Sequence, residues 1–195
     1  MITNLVSWLV ENAPHLFIGR FFGPAALGLF TVANNLVRTP ANHLVVNLQM
    51  VLFPLSARAQ DNLSGLQRAY LTALSGVGLI AFPIFTFAAM QADTVVVAML
   101  GVKWIASAGI LVPLALAMIP HTLMAIAGPM LSGKGEPAVE LRVQLVMAIL
   151  MVLALVLAAQ WSFEATVWAL AAVFLVRCVW MTGALTRRLE INRGD

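Results

Sequence analysis

Long apolar stretches alternate with short polar or charged clusters along the whole chain. Because the hydrocarbon core of a bilayer is about 30 Å thick, a helix needs about 20 mostly apolar residues to cross it. The polar clusters divide the chain into six predicted spans, at about residues 2–18, 27–57, 66–90, 107–131, 141–159 and 165–185. Together they predict a six-helix transmembrane lobe over residues 1–187, followed by a cytoplasmic tail over 188–195.

Two places depart from a row of straight crossing helices. Residues 95–100 are apolar but too short to cross, and Lys103 with Trp104 is typical of an interfacial anchor, which predicts a short helix at the membrane surface. The second span would be about 45 Å long, and Pro40 interrupts its backbone hydrogen bonds, so we expect a kinked helix that projects toward the outer face. Further kinks are predicted at Pro83, Pro113, Pro120 and Pro129.

Composition narrows the class to an all-α integral membrane protein. Hydrophobic residues make up 62% of the 195 and charged residues only 10%, which excludes a soluble fold. No alternating strand pattern occurs, and only helices or closed barrels satisfy their backbone groups in lipid, so a helical bundle is predicted. The net charge of +3 is too scattered for a nucleic-acid surface. Cys178 is the only cysteine, which excludes an intrachain disulfide, and no metal or other cofactor is expected.

The basic residues sort to one side of this topology. On the side that holds both termini lie Arg58, Arg68, Lys134, Arg142, Arg187, Arg188 and Arg193. Only Arg20 and Lys103 fall on the other side. Because cytoplasmic loops collect lysine and arginine, both termini are predicted to be cytoplasmic.

Ionisable residues near the bilayer centre form the first candidate functional group. Counting along the helices places Glu11, His121 and Arg177 each about 15 Å deep, with His15 one turn from Glu11. A charge at that depth costs about 2.5–3.5 kcal/mol, so we hypothesise that Arg177 pairs with Glu11 or with His121. Such a pair could fix the packing of the helices, or it could serve substrate binding or proton coupling.

A polar row on the second span forms the other candidate group. Asn34, Arg38 and Asn42 recur at four-residue spacing, and His43 and Asn47 follow. Nearby polar residues are Thr31, Asn35 and Gln49. Such a row cannot face lipid cheaply, so we predict that it lines a water-filled substrate cavity, with Arg38 near the outer mouth. The alternatives are snorkelling of Arg38 to the headgroups and hydrogen bonds between helices for the asparagines.

The chain lacks the motifs of membrane enzymes. No HExxH motif occurs, and the glycine-rich segment 133–137 lacks the GxxxxGK[ST] spacing of a phosphate-binding loop. No acidic cluster suits a magnesium-dependent phosphotransferase. The sequence therefore predicts a protein that is not an enzyme.

Five segments in a fixed order resemble one family of transporters. They are IGRFFG at 18–23 followed by Leu27-Gly28, LFPLS at 52–56, RAY at 68–70, LGVKW at 100–104 and GKGEP at 133–137. This series resembles the polysaccharide (O-antigen and exopolysaccharide) export flippases of the multidrug/oligosaccharidyl-lipid/polysaccharide exporter superfamily. Family members are about twice as long, so this chain is similar to their C-terminal half, beginning at the seventh helix.

The resemblance implies transport without chemistry in the bacterial cytoplasmic membrane. Members move a polyprenyl-pyrophosphate-linked glycan from the inner to the outer leaflet by alternating access between two six-helix lobes. Arg38, with Asn34, Asn42 and His43, would then contribute to the cavity wall. Since one lobe cannot alternate, we expect a fragment or split reading frame, or assembly with a separate N-terminal lobe or a second copy.

Two other functions stay open at this point. A cation-coupled drug exporter of the same superfamily would share the fold but not the LGVKW-like and LFPLS-like segments. A non-transporting membrane scaffold would use the polar row only to hold helices together. Full burial of the row with every amide paired favours the scaffold, whereas a solvent-sized cavity along the row favours transport.

Overall fold

A computed structural model of the chain describes residues 2–58, 63–124 and 137–188, although not every side chain within them. The predicted kink at Pro129, most of the turn at 133–137 and the tail after residue 188 lie outside these ranges. So do Lys134 and Arg193 among the basic residues used for the topology. The side chain of Glu11 also lies outside the described part.

The described residues are almost entirely helical and contain no strand. The elements are α1 (Ile2–Arg58), α2 (Leu63–Met90), α3 (Ala92–Leu100), a 3₁₀ helix (Val102–Ser107), α4 (Ala108–Met124), α5 (Pro137–Ala159) and α6 (Phe163–Arg188). The predicted all-α fold is thereby confirmed.

The long helix α1 is a hairpin with a sharp turn at Gly23. Gly23 has φ 82° and ψ 177°, a backbone conformation that glycine alone adopts without strain. A Cβ on Gly19 would lie 3.0 Å from the Leu27 side chain, and the rings of His15 and Phe30 have centroids only 5.0 Å apart. On a straight helix residues 15 and 30 would be about 22 Å apart. The chain therefore folds back into an N-terminal arm (2–22) and a C-terminal arm (24–58).

The two arms contain the first two predicted spans. Within α1 the backbone leaves helical dihedral angles at Gly23 rather than at Pro40, and the C-terminal arm continues through Pro40. Proline is compatible with a helical φ and removes one hydrogen bond, whereas a reversal needs the positive φ of glycine. Helices α2 and α4 likewise continue through Pro83, Pro113 and Pro120.

Several helices are long and apolar enough to cross a membrane, judged by length and composition. In the described residues these stretches are Asn12–Asn47, Tyr70–Met90, Val102–Met124 and Phe163–Gly183, with a shorter apolar helix at Gln144–Ala159. The first stretch includes the turn at Gly23 and so contributes parts of both arms. The chain is a multi-pass membrane protein, while its division into six crossings and the surface position of α3 stay predictions.

Helix α4 forms the centre of the bundle and packs against α1, α2 and α6. Its Leu111, Leu114 and Ala115 are fully buried, together with Phe30 of α1 and Phe85 of α2. Ala108, Ala115 and Ala117 of α4 are also buried, and small residues of this kind are typical of contacts between membrane helices. The core therefore holds the C-terminal arm of α1 beside α4 in a fixed orientation.

Candidate functional site

A small cavity lies inside the bundle, between the two arms of α1 and helices α4 and α6. Its polar lining comes from residues far apart in sequence: His15, Asn34, Arg38, His121 and Arg177. The volume is about 30 Å³. A water molecule needs roughly 10–15 Å³ measured in this way, so the cavity has room for about two.

Two aromatic rings hold the imidazoles of this cavity. The ring of Phe30 meets His15 edge-on with centroids 5.0 Å apart, and Phe174 meets His121 in the same way at 5.4 Å. The Nδ1 atom of each histidine is buried and has no hydrogen-bond partner among the described residues. A buried polar atom left without a partner costs about 1–3 kcal/mol, so water in the cavity would stabilise both imidazoles.

The cavity places Arg38, for which the sequence predicted a position near the outer mouth, beside the predicted midplane residues His121 and Arg177. Counting from the turn at Gly23 and from the start of α6 at Phe163, its residues are about 10–22 Å along the helices. The rings of Phe22 and Phe163, with centroids 5.3 Å apart, fix these two reference points at the same level. Arg38 and Arg177 line the cavity together with His121.

Three of the four predicted midplane residues, His15, His121 and Arg177, therefore line one cavity. Arg177 and His121 line the same cavity, and the pairing of these two residues stays a prediction. Glu11 lies one helical turn before His15 on the N-terminal arm. Since its side chain is not described, the pairing of Arg177 with Glu11 stays a prediction.

The predicted polar row does not face one cavity. Asn34 is buried and Arg38 half-buried beside the small cavity, whereas Asn42, His43 and Asn47 are exposed on the outside of the bundle. A step of four residues advances by 400°, so each successive member of the row is rotated by about 40° around the helix. Two such steps carry the row from the interior at Asn34 to the surface at Asn42.

The exposed members belong to a broader polar face on the C-terminal arm. This polar face consists of the exposed residues Asn35, Thr39, Asn42, His43 and Asn47. Their spacing of 4, 7, 8 and 12 residues from Asn35 places them on one side of the helix. Sequence reasoning assigned no role to Thr39, and this helical spacing is the signal that would have found it.

An open apolar groove of about 750 Å³ adjoins the polar face. Its walls come from the C-terminal arm of α1, the end of α2 and helix α3. The apolar lining residues are Val32, Leu36, Val37, Pro40, Ile84, Phe85, Phe87, Ala88, Val95, Met99 and Leu100. The polar lining residues are Asn35, Thr39 and His43, which also belong to the polar face.

A metal site was not expected from the sequence. In the part of the chain that the structure describes, no three histidine, cysteine, aspartate or glutamate side chains lie close enough together to hold a metal ion.

Comparison with known proteins assigns the family. Residues 1–109 match the family described as polysaccharide biosynthesis protein, which is more than half of the chain. The chain therefore belongs to this family, and the recognition of a polysaccharide export family from its five sequence segments is confirmed. The matched residues include the hairpin, the polar face and α3, while His121 and Arg177 lie beyond them.

Two curated relatives agree with this family. The chain is 31% identical over 134 residues to the teichuronic acid biosynthesis protein TuaB of Bacillus subtilis, covering 69% of this chain and 28% of the relative. It is 29% identical over 101 residues to the lipopolysaccharide biosynthesis protein WzxC of Escherichia coli, covering 52% of this chain and 20% of the relative. The matched part thus spans less than a third of either relative. No solved structure matches the chain.

Proposed function

We propose that this chain is one lobe of a transporter that moves lipid-linked polysaccharide precursors across the bacterial cytoplasmic membrane. The polar face carries the proposal, since five polar side chains are exposed along one side of a membrane helix. The family supports the substrate class, because its members serve polysaccharide biosynthesis. In this proposal both termini are cytoplasmic, and the chain moves its substrate without any catalytic step.

The physical argument starts from the cost of placing polar groups against hydrocarbon. Each unpaired amide or hydroxyl moved from water into an apolar environment costs about 1–3 kcal/mol by mutational measures. Five such groups on one face would be too costly if that face rested on lipid tails. The face therefore borders water or a polar partner surface, and a separate N-terminal lobe or a second copy of this chain would close an aqueous path over it.

The internal cavity is too small to bind the substrate. Sites for small ligands have volumes of about 300–1,000 Å³, roughly ten times or more that of this cavity. Asn34 and Arg38, which face it, therefore do not contact a glycan there. We assign His15, His121, Arg38 and Arg177, which line this cavity, to energy coupling, because ionisable side chains inside a membrane bundle mark ion or substrate pathways.

A complementation experiment tests the proposal. The chain is expressed with a separate N-terminal lobe, and without it, in a strain that lacks its lipid-linked polysaccharide translocase. The readout is the polysaccharide that reaches the cell surface. Replacing Asn42, His43 and Asn47 together by leucine should reduce export at least about tenfold, because these leucines would close the polar face with apolar side chains.

The matched control replaces two exposed polar residues outside the polar face, Thr72→Leu with Ser75→Leu on α2, and should keep export. His121→Asn tests the coupling role and should reduce export at an unchanged amount of membrane-inserted protein. Export that survives the triple leucine substitution would refute the role of the polar face. If the chain inserts normally but restores no export with or without the N-terminal lobe, it is a non-transporting scaffold. Restored drug resistance without polysaccharide export would identify a drug exporter.

A further inference from the structure

We propose that the apolar groove binds the hydrocarbon chain of the lipid-linked substrate, with the polar end of that lipid held by Asn35, Thr39 and His43. This inference rests on the proposed transport function and names the place where the lipid part of the substrate lies. The ligand is defined by its chemistry as a long apolar chain that carries a phosphate group.

The groove has both apolar and polar lining residues, and this combination favours a ligand with an apolar chain and a polar end. Its walls are apolar except for one strip on the C-terminal arm, where Asn35, Thr39 and His43 recur every four residues. Plain hydrocarbon in the groove would leave the strip without hydrogen-bond partners, and water in the groove would face the apolar walls. A chain that ends in a polar group satisfies both surfaces at once.

The groove also has a suitable size and suitable side chains. Its volume of about 750 Å³ accommodates a section of a long chain rather than a whole lipid or a helix. Phe87 of α2 and Met99 of α3 line the groove and are 61% and 68% exposed. Methionine adapts its shape to a flexible partner, as expected for a wall that contacts an irregular isoprenoid chain.

The polar strip matches the chemistry of a phosphate. The amide of Asn35, the hydroxyl of Thr39 and the imidazole N–H of His43 all donate hydrogen bonds, and phosphate oxygens accept them. The strip continues along the polar face to Asn42 and Asn47, which would contact the first sugars beyond the phosphate. The lipid would thus be held in the groove while its glycan extends along the polar face.

The experiment measures lipid binding to the purified full chain by native mass spectrometry. The probes are a polyprenyl phosphate, the same polyprenol without phosphate, and phosphatidylglycerol as bulk anionic lipid. Met99→Glu places a carboxylate in the groove, and Met90→Glu places the same charge on another exposed methionine outside it. Met99→Glu should weaken polyprenyl phosphate binding at least about tenfold, with Met90→Glu unchanged, because burying a carboxylate beside hydrocarbon is costly.

Two further variants separate the chain from the phosphate. Ala88→Phe fills the groove without adding charge and should weaken the binding of polyprenol and polyprenyl phosphate alike, whereas Ala172→Phe on the exposed side of α6 should not. His43→Leu should weaken only the phosphate-bearing probe. Equal losses for phosphatidylglycerol would show a groove for bulk lipid, and unchanged binding in Met99→Glu and Ala88→Phe would show that the groove is not the site.

The experiments distinguish a failure of the proposed lipid site from a failure of the proposed transport function. Groove-dependent binding by a chain that never restores polysaccharide export would overturn the transport proposal and leave the lipid site standing. Export that is restored in full by Met99→Glu and Ala88→Phe would overturn the lipid site and leave transport standing.

Discussion

The outer side of α5 and the polar face of α1 are both exposed, yet they have opposite chemistry. Among the side chains of α5 that the structure describes, at 144–159, the exposed large ones are all apolar, namely Leu145, Val146, Ile149, Leu150, Val152, Leu153, Val156 and Leu157. On the C-terminal arm of α1, by contrast, the exposed side chains include three asparagines, a threonine and a histidine, beside the apolar Val46 and Met50. The apolar surface of α5 therefore suits contact with lipid, whereas the polar side chains of the arm suit contact with water or with a polar partner.

The most apolar window of a membrane stretch does not separate these two kinds of surface. The most apolar 18 residues within Asn12–Asn47 have a mean hydropathy of 1.6, and those within Phe163–Gly183 on α6 have 1.7. Nevertheless, the exposed large side chains of α6 between Trp168 and Trp180 are apolar, and those of the polar face are not. The distribution of polar residues around the helix axis carries the functional signal, because each face meets its own solvent.

The largest expected effect comes from placing the same charge on both surfaces. Ile149 and Asn42 lie near the middle of their helical segments, so Ile149→Arg and Asn42→Arg are a matched pair. Arginine on the lipid side of α5 should raise the apparent free energy of membrane insertion by about 2.5–3.5 kcal/mol. On the polar face it should cost less than about 1 kcal/mol, because that face does not rest on hydrocarbon. Glycosylation mapping of the full chain measures both values, and equal costs at the two sites would remove the distinction.

A second, smaller effect concerns the turn that positions the polar face. Gly23→Ala should destabilise the chain by about 1–3 kcal/mol, since alanine is strained at a positive φ with an extended ψ. Gly28→Ala is the control: its Cβ would meet nothing within 4 Å, and its helical position favours alanine. Unfolding of the purified chain in a denaturing detergent gives both values. A loss at Gly28 as large as that at Gly23 would mean that the turn does not depend on the backbone conformation of glycine.

The smallest effect is a difference in chemical access. In a Cys178→Ser background, His43→Cys and Asn47→Cys on the polar face should react with a water-soluble maleimide roughly tenfold faster than Leu153→Cys on α5, since the reactive thiolate forms in water. Labelling rates in sealed membrane vesicles check this, with the denatured chain as the measure of full reactivity. Slow labelling at all three positions would mean that the polar face is covered or dry.

Much of the fold could be predicted from the chain itself. The apolar stretches located the helices, because a helix in lipid must be apolar over the thickness of the membrane. The break between residues 18 and 27 was predicted from a charged and glycine-containing separator, and the structure places the turn there, at Gly23. The five sequence segments identified the family, and the family comparison confirmed it.

The candidate site was less predictable. Depth along the helices predicted a similar level for His15, His121 and Arg177, and the structure brings all three to one cavity. Depth alone says nothing about which sides of the helices meet. The row from Asn34 to Asn47 was taken as one surface, whereas its first members face the interior and its last members face outward. The apolar groove could not be foreseen, since its walls come from three elements whose packing is set by distant contacts.

The sequence by itself determined the solvent, the helices and the family, because each depends on runs of neighbouring residues whose side chains must match lipid or water. Tertiary structure alone decided that Arg38 and Arg177 share a cavity with two histidines, and that Asn42, His43 and Asn47 stand outside it. The physical reason is the direction in which each side chain leaves the helix. The packing of α4 and α6 against α1 fixes which side of the arm is buried. Because residues four apart differ by about 40° around the helix, the first members of the polar row lie on the buried side and the last members on the exposed side.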